Sequence, residues 1–591
     1  METLTVKNLN VCFFTPLGKV QAVKDLNFSM EDGKILALVG ESGSGKTITA
    51  LTILRLLPFG AKVTSGEIIF EGKNLLKLSE KEIARFRGRK IVSIPQDPGN
   101  ALNPIMSIGS QLQEALSLNH FGKSIGELLN LVKIPDPEKR ARMYPHELSG
   151  GMKQRVLIAM ALAGSPEVLI ADEPTTALDV TVQVQILDLL QELTKKFNFS
   201  TLFITHNLGI VAEYVDKIVV MKKGEKVEEN NVFDLFSDPQ HEYTRSLIEV
   251  VPRLDGVRSR VRPLRFEENI LKVDNLNVHF VKSNFIGKEV SRLRAVDGVS
   301  FCLKKGESIG LVGESGCGKT TIARSVLRVV SRNTVQISGK VEFEGKNIFD
   351  LRSNELLRLR KNTQLIIQEN VSALNPRKSV GEQIAEVFKI HNICKGSETE
   401  IKVKELMDSV GVSSNGFDRF PAEFSSGERQ RLVIARAVAV EPKLLFLDEP
   451  VASLDVSVQA KILELLGGLK EKYDLTYLFI SHDLSVVREM CHRILVMYLG
   501  KIVEIAESKE LVSKPIHPYT QALISAVPIP DPVKARAKSR IHLPDEPPSP
   551  MTNILGCKFH TRCSRCLSVC KEVEPILKDV GSGHLVACHL I

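Results

Sequence analysis

The chain has 591 residues, of which 43% are hydrophobic and 25% charged, a balance that is typical of globular proteins and excludes extended disorder. Its length predicts at least two compact units and favours four. The net charge of +8, from 78 basic and 70 acidic residues, is too small a bias over so long a chain to identify nucleic acid or an anionic membrane as a partner.

Hydrophobic residues nowhere form a run of the ~18–20 that a membrane-spanning helix needs. The first residues, METLTVKNLNV, alternate as in a β-strand and do not resemble a signal peptide. The sequence therefore predicts a cytosolic protein, unless a partner holds it at a membrane.

One series of motifs occurs twice. GESGSGKT at Gly40–Thr47 and GESGCGKT at Gly313–Thr320 are each followed by a glutamine, an SGG-like turn, an apolar run ending in Asp-Glu-Pro, and a histidine. The spacing between the copies is nearly constant, with 273 residues between the first glycines and 276 between the histidines. Such constancy indicates duplication of one domain.

Short apolar runs bounded by turn residues, such as ILALVG, KIVSIPQ, EVLIADEP and TLFITH, predict buried parallel strands. Helical patterns lie between them. Each half is therefore expected to be an open α/β sheet with its functional residues at the carboxyl ends of the strands. Residues 97–166 and 369–442 lack such strands and predict a helical insertion in each half.

We expect a first domain at residues 1–250, a linker at 251–269, a second domain at 270–530 and a C-terminal region at 531–591. The linker is rich in arginine and proline and lacks apolar periodicity, which favours an extended segment. A second proline-rich stretch at 528–550 predicts that the cysteine-rich tail is a separate small unit.

The glycine-rich loops are predicted to bind the triphosphate of a nucleotide. Glycines let backbone N–H groups approach the phosphates, the lysine reaches the β- and γ-phosphates, and the threonine hydroxyl binds Mg²⁺. The predicted residues are Gly40, Ser42, Gly43, Gly45, Lys46 and Thr47 in the first half, and Gly313, Ser315, Gly316, Gly318, Lys319 and Thr320 in the second.

Two successive acids end an apolar run in each half. Asp172 and Asp448 are placed where a Mg²⁺ held by the loop threonine would need a further anchor. Glu173 and Glu449 are then positioned to polarise the attacking water. A strand cap before a proline turn would explain one acid, but it does not explain two in both halves.

Four further residues are predicted to be catalytic because they stand at strand ends. Gln96 and Gln368 would contact Mg²⁺ or the water, and His206 and His482 would face the γ-phosphate. Each alone would be explained as well by a surface glutamine or a structural histidine. Only the complete series favours catalysis.

These residues resemble the nucleotide-binding domains of ATP-binding cassette (ABC) transporters in both halves. LSGGMKQR at Leu148–Arg155 resembles the signature of that superfamily, while ALD at Ala177–Asp179 and SLD at Ser453–Asp455 resemble its D-loop. The resemblance implies two tandem P-loop NTPase domains of α/β fold, each with a helical subdomain, followed by a small cysteine-rich segment.

In that family the signature of one domain completes the ATP site of the other, head to tail. A serine and glycine amides at a helix start would offer N–H donors and a positive dipole end to the γ-phosphate. Phe13 and Phe280 stand where the family has an aromatic that stacks on adenine, although a core aromatic is as good an explanation. The implied pairs are Lys46 with Ser425 and Gly427, and Lys319 with Ser149, Gly150 and Gly151.

The second signature, FSSGERQR at Phe424–Arg431, departs from the pattern. Ser426 replaces a glycine, and Glu428 adds an acid close to the expected phosphate. A side chain where the backbone must approach closely, together with like-charge repulsion, predicts slower hydrolysis at the site that contains Lys46 than at the site that contains Lys319. The alternative is that Ser426 is harmless.

Motifs after each histidine, and a turn after each glutamine, indicate which class of ABC transporter the chain resembles. HEYT at His241–Thr244, HPYTQALISAVP at His517–Pro528 and an ALNP turn in each half resemble importers of dipeptides, oligopeptides and nickel, and the fused pair resembles the glutathione and microcin-type peptide importers. The resemblance implies an ATP- and Mg²⁺-dependent ATPase at the cytoplasmic face of the inner membrane. Its implied partners are two permease subunits and an extracytoplasmic substrate-binding protein, with no nucleic acid.

Cys557, Cys563, Cys570 and Cys588 match the C-terminal cysteine pattern of that family. Four thiolates at such spacings suit a [4Fe–4S] cluster or a structural zinc ion, and free thiols are the third alternative. Cys566 is an additional cysteine and leaves the fourth ligand open.

A second class of function is a soluble tandem ABC protein that acts on ribosomes or DNA. Its ribosomal relatives have a long charged helical linker, whereas this linker is short and broken by proline, and its DNA-repair relatives carry zinc modules inside the cassette. An exporter ATPase is disfavoured by the C-terminal motifs.

Overall fold

The computed structural model describes residues 2–15, 18–118, 122–176, 178–256, 260–283, 289–330, 335–367, 373–394, 396–452, 454–544 and 546–591, with side chains other than those of 282–291. These residues form two compact units. The first comprises Met1–Val251, Asp455–Ser457 and Pro528–Ser539, and the second Pro252–Leu454, Val458–Val527 and Arg540–Ile591.

Two sheets form the framework of the first unit. One is antiparallel with strand order β2-β1-β4-β5, and the other has the order β10-β9-β3-β8-β7-β6, in which only β10 is antiparallel to its neighbour. The strands are β1 (Glu2–Thr15), β2 (Gly18–Glu31), β3 (Ile35–Val39), β4 (Ala61–Phe70), β5 (Lys73–Asn74), β6 (Ile91–Ile94), β7 (Val168–Asp172), β8 (Ser200–Thr205), β9 (Lys217–Lys222) and β10 (Glu225–Asn231).

Helices cover the second of these sheets and fill the predicted insertion. Every residue of β3 and β8 is buried, as expected for continuous apolar strands covered on both faces. The helices are α1 (Lys46–Ile53), α2 (Glu80–Ile83), α3 (Pro98–Ala101), α4 (Ile108–Ser117), α5 (Ile125–Leu131), α6 (Pro137–Ala141), α7 (Gly150–Leu162), α8 (Val180–Phe197), α9 (Leu208–Tyr214), α10 (Val232–Ser237) and α11 (Glu242–Val250). The predicted parallel strands are confirmed, and α3 to α7 all lie between β6 and β7.

The second unit repeats this plan with a wider main sheet. Its antiparallel sheet has the order β12-β11-β14-β15, and its eight-stranded sheet has the order β16-β17-β18-β13-β19-β20-β22-β21. The strands are β11 (Asn269–Ser283), β12 (Glu289–Lys304), β13 (Ser308–Val312), β14 (Val335–Phe343), β15 (Lys346–Asn347), β16 (Thr363–Ile366), β17 (Leu444–Asp448), β18 (Thr476–Ile480), β19 (Arg493–Tyr498), β20 (Lys501–Glu507), β21 (Lys578–Asp579) and β22 (Leu585–Val586).

The remaining helices belong to the second unit, except for the first two residues of α17 and for the last helix, which packs on α9 in the first unit. They are α12 (Lys319–Val326), α13 (Ser353–Asn362), α14 (Val380–Ile390), α15 (Ser397–Ser409), α16 (Ser426–Val438), α17 (Val456–Tyr473), α18 (Leu484–Met490), α19 (Ser508–Ser513), α20 (Pro518–Ala526) and α21 (Pro532–Ala537). Of the helices in the described part of the chain, none is both long and apolar enough to cross a bilayer.

The cysteine-rich tail is part of the second unit, whereas the sequence predicted a separate small one. Its strand β22 pairs antiparallel with β20, with Val586 opposite Glu504 and Leu585 opposite Ile505. The buried His584 adds a hydrogen bond between its Nε2 and Glu504 Oε1 at 2.7 Å. The tail therefore extends the main sheet beyond β20 by the two strands β22 and β21.

The core of the second unit supplies a stability test. Leu466 of α17 is fully buried, while Leu357 of α13 is 45% exposed. We expect Leu466→Ala to destabilise the protein by about 2–5 kcal/mol because it leaves a cavity, whereas Leu357→Ala should stay within about 0.5 kcal/mol. Denaturant unfolding of both variants measures this, and equal stability losses would contradict the packing described.

Candidate active site

A glycine-rich loop joins a central strand to a helix in each unit. Gly45 precedes α1 with a φ of 99°, and a Cβ there would lie 2.5 Å from the carbonyl oxygen of Ala22. Gly318 precedes α12 with a φ of 107°, and its Cβ would lie 2.0 Å from the oxygen of Ala295. Both positions therefore exclude any side chain, for conformational and steric reasons together.

The lysine of each loop is almost completely buried inside the curve of the backbone. Lys46 Nζ donates to the carbonyl oxygens of Gly40 and Glu41, both at 2.8 Å, and Lys319 Nζ donates to the matching oxygens of its own loop at 2.6 and 3.0 Å. Burial lowers the pKa of Lys46, while the charges of Glu173 and Asp172 oppose this. The ammonium is thus held at the centre of each loop.

A hydroxyl and a carboxylate meet where the helix after each loop begins. Thr47 Oγ1 donates to Asp172 Oδ1 at 3.3 Å, and Thr320 Oγ1 donates to Asp448 Oδ1 at 3.0 Å. Burial raises the pKa of both aspartates, and the threonine hydrogen bonds oppose the shift. Paired oxygen atoms of this kind are the ligands and anchors that Mg²⁺ prefers.

The glutamate after each aspartate has a strained backbone. Glu173 has a φ of 45° and Glu449 a φ of 50°, both in the left-handed region that non-glycine residues rarely adopt. Their N–H groups donate to the carbonyl oxygens of Ile204 and Ile480, each at 2.9 Å. Such strain persists only where neighbouring strands fix the chain, which is common in functional sites.

In the first site two of the predicted catalytic residues contact the carboxylate of a third, Glu173. Glu173 Oε2 accepts from Gln96 Nε2 at 2.8 Å and from Thr176 Oγ1 at 3.1 Å, while Glu173 Oε1 lies 3.0 Å from His206 Nδ1. Burial raises the pKa of Glu173, but the hydrogen bond and charge of His206, with Thr176 and Lys46, outweigh burial and lower it. The carboxylate is therefore ionised and fixed in direction.

The second site repeats the glutamate–histidine contact. His482 Nδ1 lies 3.3 Å from Glu449 Oε1, and the pKa of Glu449 is likewise lowered, because His482 and Lys319 outweigh burial. Gln368 lies outside the described residues, so its contact with Glu449 stays a prediction.

The signature serines each precede a helix. Ser149 caps α7, and its Oγ accepts from the N–H of Met152 at 3.2 Å. Ser425 caps α16, but here the Glu428 carboxylate accepts from both the N–H and the Oγ of Ser425, at 2.9 and 2.7 Å. These hydrogen bonds lower the pKa of Glu428. The acid that was expected to repel phosphate thus also holds the hydroxyl of the signature serine.

The glycines that follow these serines lie in the first turn of each helix. Gly150 and Gly151 begin α7, and a Cβ on Gly427 in α16 would lie 2.6 Å from Cγ1 of Val458. In the D-loops, Ala177 and Ser453 lie outside the described residues.

Phe13 lies in β1 and Phe280 in β11, and both are partly buried. Each occupies the same register in its antiparallel sheet, opposite Val20 and Leu293 respectively. Their stacking on adenine stays a prediction.

The HEYT and HPYT motifs have a local role that the sequence analysis missed. Their histidines cap α11 and α20 by accepting the N–H of the tyrosine two residues later. The tyrosine hydroxyls then accept from the loops: Tyr243 from the N–H of Glu41 at 3.2 Å, and Tyr519 from the N–H of Glu314 at 3.0 Å. The repeated His-x-Tyr spacing after both loops was the available signal.

The four tail cysteines lie close enough together to influence one another's ionisation. Burial, with a smaller contribution from Cys570, Cys588 and Cys563, raises the pKa of Cys557 to about 11. None of the ten cysteines forms a disulfide bond in the described residues. Among the described residues, no group of three or more His, Cys, Asp or Glu has the arrangement of a metal site.

Comparison with known proteins relates these sites to a family. The sequence model of the ABC transporter family matches residues 23–176 and 296–452, just over half of the chain, and that of the oligopeptide/dipeptide transporter C-terminal region matches 227–275 and 503–570. The chain belongs to the ABC transporter family. It is an ATPase coupled to transport, and its chemistry requires ATP and Mg²⁺.

Full-length relatives agree with this assignment. The glutathione import ATP-binding protein GsiA of Pectobacterium atrosepticum is 39% identical over 625 residues, covering 100% of this chain and 97% of the relative. The protein of that name from Escherichia coli (strain K12) is 40% identical over 622 residues, covering 99% and 97%. The structure of cbiO1 from Clostridium perfringens, part of an ABC transporter complex, is 29% identical and covers 43% of this chain and 97% of its own, with a TM-score of 0.34. The ribosomal or DNA-directed alternative finds no support in these comparisons.

The loop geometry predicts the effect of one methyl group. Gly318→Ala should weaken ATP binding at the second site by about 10- to 100-fold, because a side chain on this strained backbone, against the Ala295 oxygen, costs about 1–3 kcal/mol. The control is Gly468→Ala in α17, where a Cβ meets open space. Titration with a fluorescent ATP analogue in a Lys46→Ala background measures this, and unchanged affinity would contradict it.

Proposed function

We propose that this chain is the energy-coupling ATPase of an importer for peptides or peptide-like conjugates such as glutathione, with nickel as the other substrate class. The observation that carries the proposal is that two complete ATPase sets in one chain are each followed by a match to the oligopeptide/dipeptide transporter region. The relatives named for glutathione import support the peptide class.

The proposed partners are two integral-membrane permease subunits and an extracytoplasmic substrate-binding protein. The chain would lie peripherally at the cytoplasmic face of the membrane, with ATPase domains at 1–250 and 270–530, a linker at 251–269 and the C-terminal region at 531–591. The helical insertions would transmit movement to the permeases.

Two ATP molecules would be bound head to tail in the closed state. The loop that contains Lys46 would share its nucleotide with Ser425 and Gly427, and the loop that contains Lys319 with the first turn of α7. The closed state needs to bind ATP about 10⁴-fold more tightly than the open state to shift the population almost completely. Hydrolysis and product release would then reopen the two halves.

The proposed chemistry assigns one role to each group. Glu173 and Glu449 would polarise the attacking water, since their carboxylates are ionised and fixed by histidine. Gln96 and Gln368 would orient the water and Mg²⁺, His206 and His482 would contact the γ-phosphate, and the threonine–aspartate pairs would hold Mg²⁺. Phe13 and Phe280 would stack on adenine.

The two sites are expected to differ in rate. Because Glu428 engages the hydroxyl of Ser425, that hydroxyl is less available to a phosphate at the site that contains Lys46. We predict that the ATPase rate remaining in Glu449→Gln is about fivefold lower than that remaining in Glu173→Gln, since one hydrogen bond is worth roughly 1 kcal/mol and 1.4 kcal/mol is tenfold in rate.

Glu428→Met provides the matched variant, because Met152 occupies the corresponding position of the first signature. Combined with Glu449→Gln, it should raise the remaining ATPase rate. Combined with Glu173→Gln, it should leave the ATPase rate unchanged. Equal losses in the two glutamate variants would show that the second signature works as well as the first.

Purification from solubilised membranes tests the assignment as an importer. Two co-purifying permeases are expected, with ATPase activity that rises when they are reconstituted with a binding protein and its peptide. Recovery of ribosomal RNA or DNA in place of permeases would refute the proposal in favour of the soluble alternative.

We also propose that Cys557, Cys563, Cys570 and Cys588 hold a [4Fe–4S] cluster, with zinc as the alternative occupant. The mutual influence of their thiols supports a common site. Anaerobically purified protein should contain about four iron atoms and four acid-labile sulfides per chain. Cys570→Ser should abolish both, whereas Cys12→Ser, in the first unit, should not. Zinc without sulfide would favour the alternative occupant. Absence of both iron and zinc would refute a bound metal.

A further inference from the structure

Arg562, in the cysteine-rich C-terminal tail, forms an ion pair with the second glycine-rich loop. The carboxylate of Glu314 accepts two hydrogen bonds from Arg562, from Nη1 to Oε2 at 2.7 Å and from Nη2 to Oε1 at 3.1 Å. Glu314 is 3% exposed and Arg562 2%. The pair is therefore a bidentate ion pair removed from water, the strongest type of side-chain hydrogen bonding that arginine forms.

The backbone of Glu314 links this arginine to the phosphate-binding lysine. The N–H of Glu314 donates to the hydroxyl of Tyr519 at 3.0 Å, and its carbonyl oxygen accepts from Lys319 Nζ at 3.0 Å. One residue thus connects the tail, helix α20 and the ammonium of Lys319. A displacement of its side chain would move the carbonyl that positions Lys319.

Buried aromatic rings enclose the ion pair. Tyr498 lies 4.7 Å from Tyr519 and 5.2 Å from Phe559, measured between ring centroids, and the Arg562 guanidinium lies 5.9 Å from the centre of the Tyr498 ring. An apolar surround strengthens the attraction between the charges, and it makes the loss of either partner costly.

The first loop has no corresponding ion pair among the described residues, although its backbone is arranged in the same way. Glu41 also joins a tyrosine hydroxyl to the lysine of its loop, but its carboxylate is only partly buried and forms no ion pair with any described residue. Lys222 stands in the place of Tyr498 and lies over the ring of Tyr243 at 4.5 Å. The two loops therefore differ in the side chains behind them as well as at Ser44 and Cys317 within them.

We propose that Arg562 is a positioning residue for the second ATP site: through Glu314 the tail holds the loop of Lys319 in its nucleotide-binding geometry, and the loop of Lys46 is independent of the tail. This rests on the proposed function in that the loop of Lys319 is taken as an ATP site. Coupling between two sites is reciprocal, so ATP at the second site also stabilises the tail.

The binding test uses the full chain and one site at a time. In a Lys46→Ala background, Arg562→Met should raise the Kd of the second site for a fluorescent ATP analogue about tenfold, within the usual range of coupling. In a Lys319→Ala background the same change should leave the first site within twofold. Arg565→Met, an exposed arginine of the same tail, is the matched control and should alter neither site.

A double variant separates positioning from stability. Arg562→Met removes the positive charge beside the buried carboxylate of Glu314, so it should lower the melting temperature, and adding Glu314→Gln should restore much of that loss. If Arg562 positions the loop of Lys319, ATP affinity at the second site stays weak in the double variant even though the melting temperature recovers. Recovery of affinity together with stability would overturn the proposal.

Hydrogen exchange supplies a readout that does not depend on any variant of the ion pair. Mg-ATP should slow amide exchange in residues 556–571 of the unmodified chain and of Lys46→Ala, but not of Lys319→Ala. Protection that persists in Lys319→Ala, or is absent throughout, would overturn the coupling. If the unmodified chain bound no ATP at either loop, the proposed function itself would fail.

Discussion

The carboxyl edge of each parallel sheet is the constraint on which both sites depend. In the first unit β3, β8 and β7 are adjacent, with Val39 opposite Thr205 and Asp172 opposite Ile204. Parallel pairing places the ends of these strands side by side, so residues far apart in the chain emerge at one edge. The glutamate after β7 is bent into a left-handed conformation there because its N–H is bound to β8. The fixed carboxylate follows from the register of the strands.

Much of this arrangement could be predicted from the sequence, because it depends on local patterns repeated in a fixed order. Continuous apolar runs identified the parallel strands, and the residue types after each run identified Lys46, Glu173 and their counterparts. The same logic placed the helical insertion, since 97–166 lacks any such run. Duplication strengthened each of these interpretations by supplying two independent examples.

Other features depended on contacts that no local pattern reports. Arg562 meets Glu314 across 248 positions of the chain, and the pairing of β22 with β20 depends on which sheet edge is vacant. The hydroxyl of Tyr519 reaches the loop only because β20 and α20 return to it. The link between Ser425 and Glu428 is different, since Ser-x-x-Glu at a helix start is a recognisable capping pattern that the analysis of the signature overlooked.

The two cassettes share one backbone plan and differ in the side chains that surround it. Cys317 replaces Ser44, Tyr498 replaces Lys222, and within the described residues an ion pair lies behind the second loop and not behind the first. Carrying both copies in one polypeptide has an evolutionary consequence. In an assembly of identical subunits every substitution changes both ATPase centres at once. Here a substitution in one cassette leaves the matching residue of the other cassette unchanged, so the two centres can diverge in evolution.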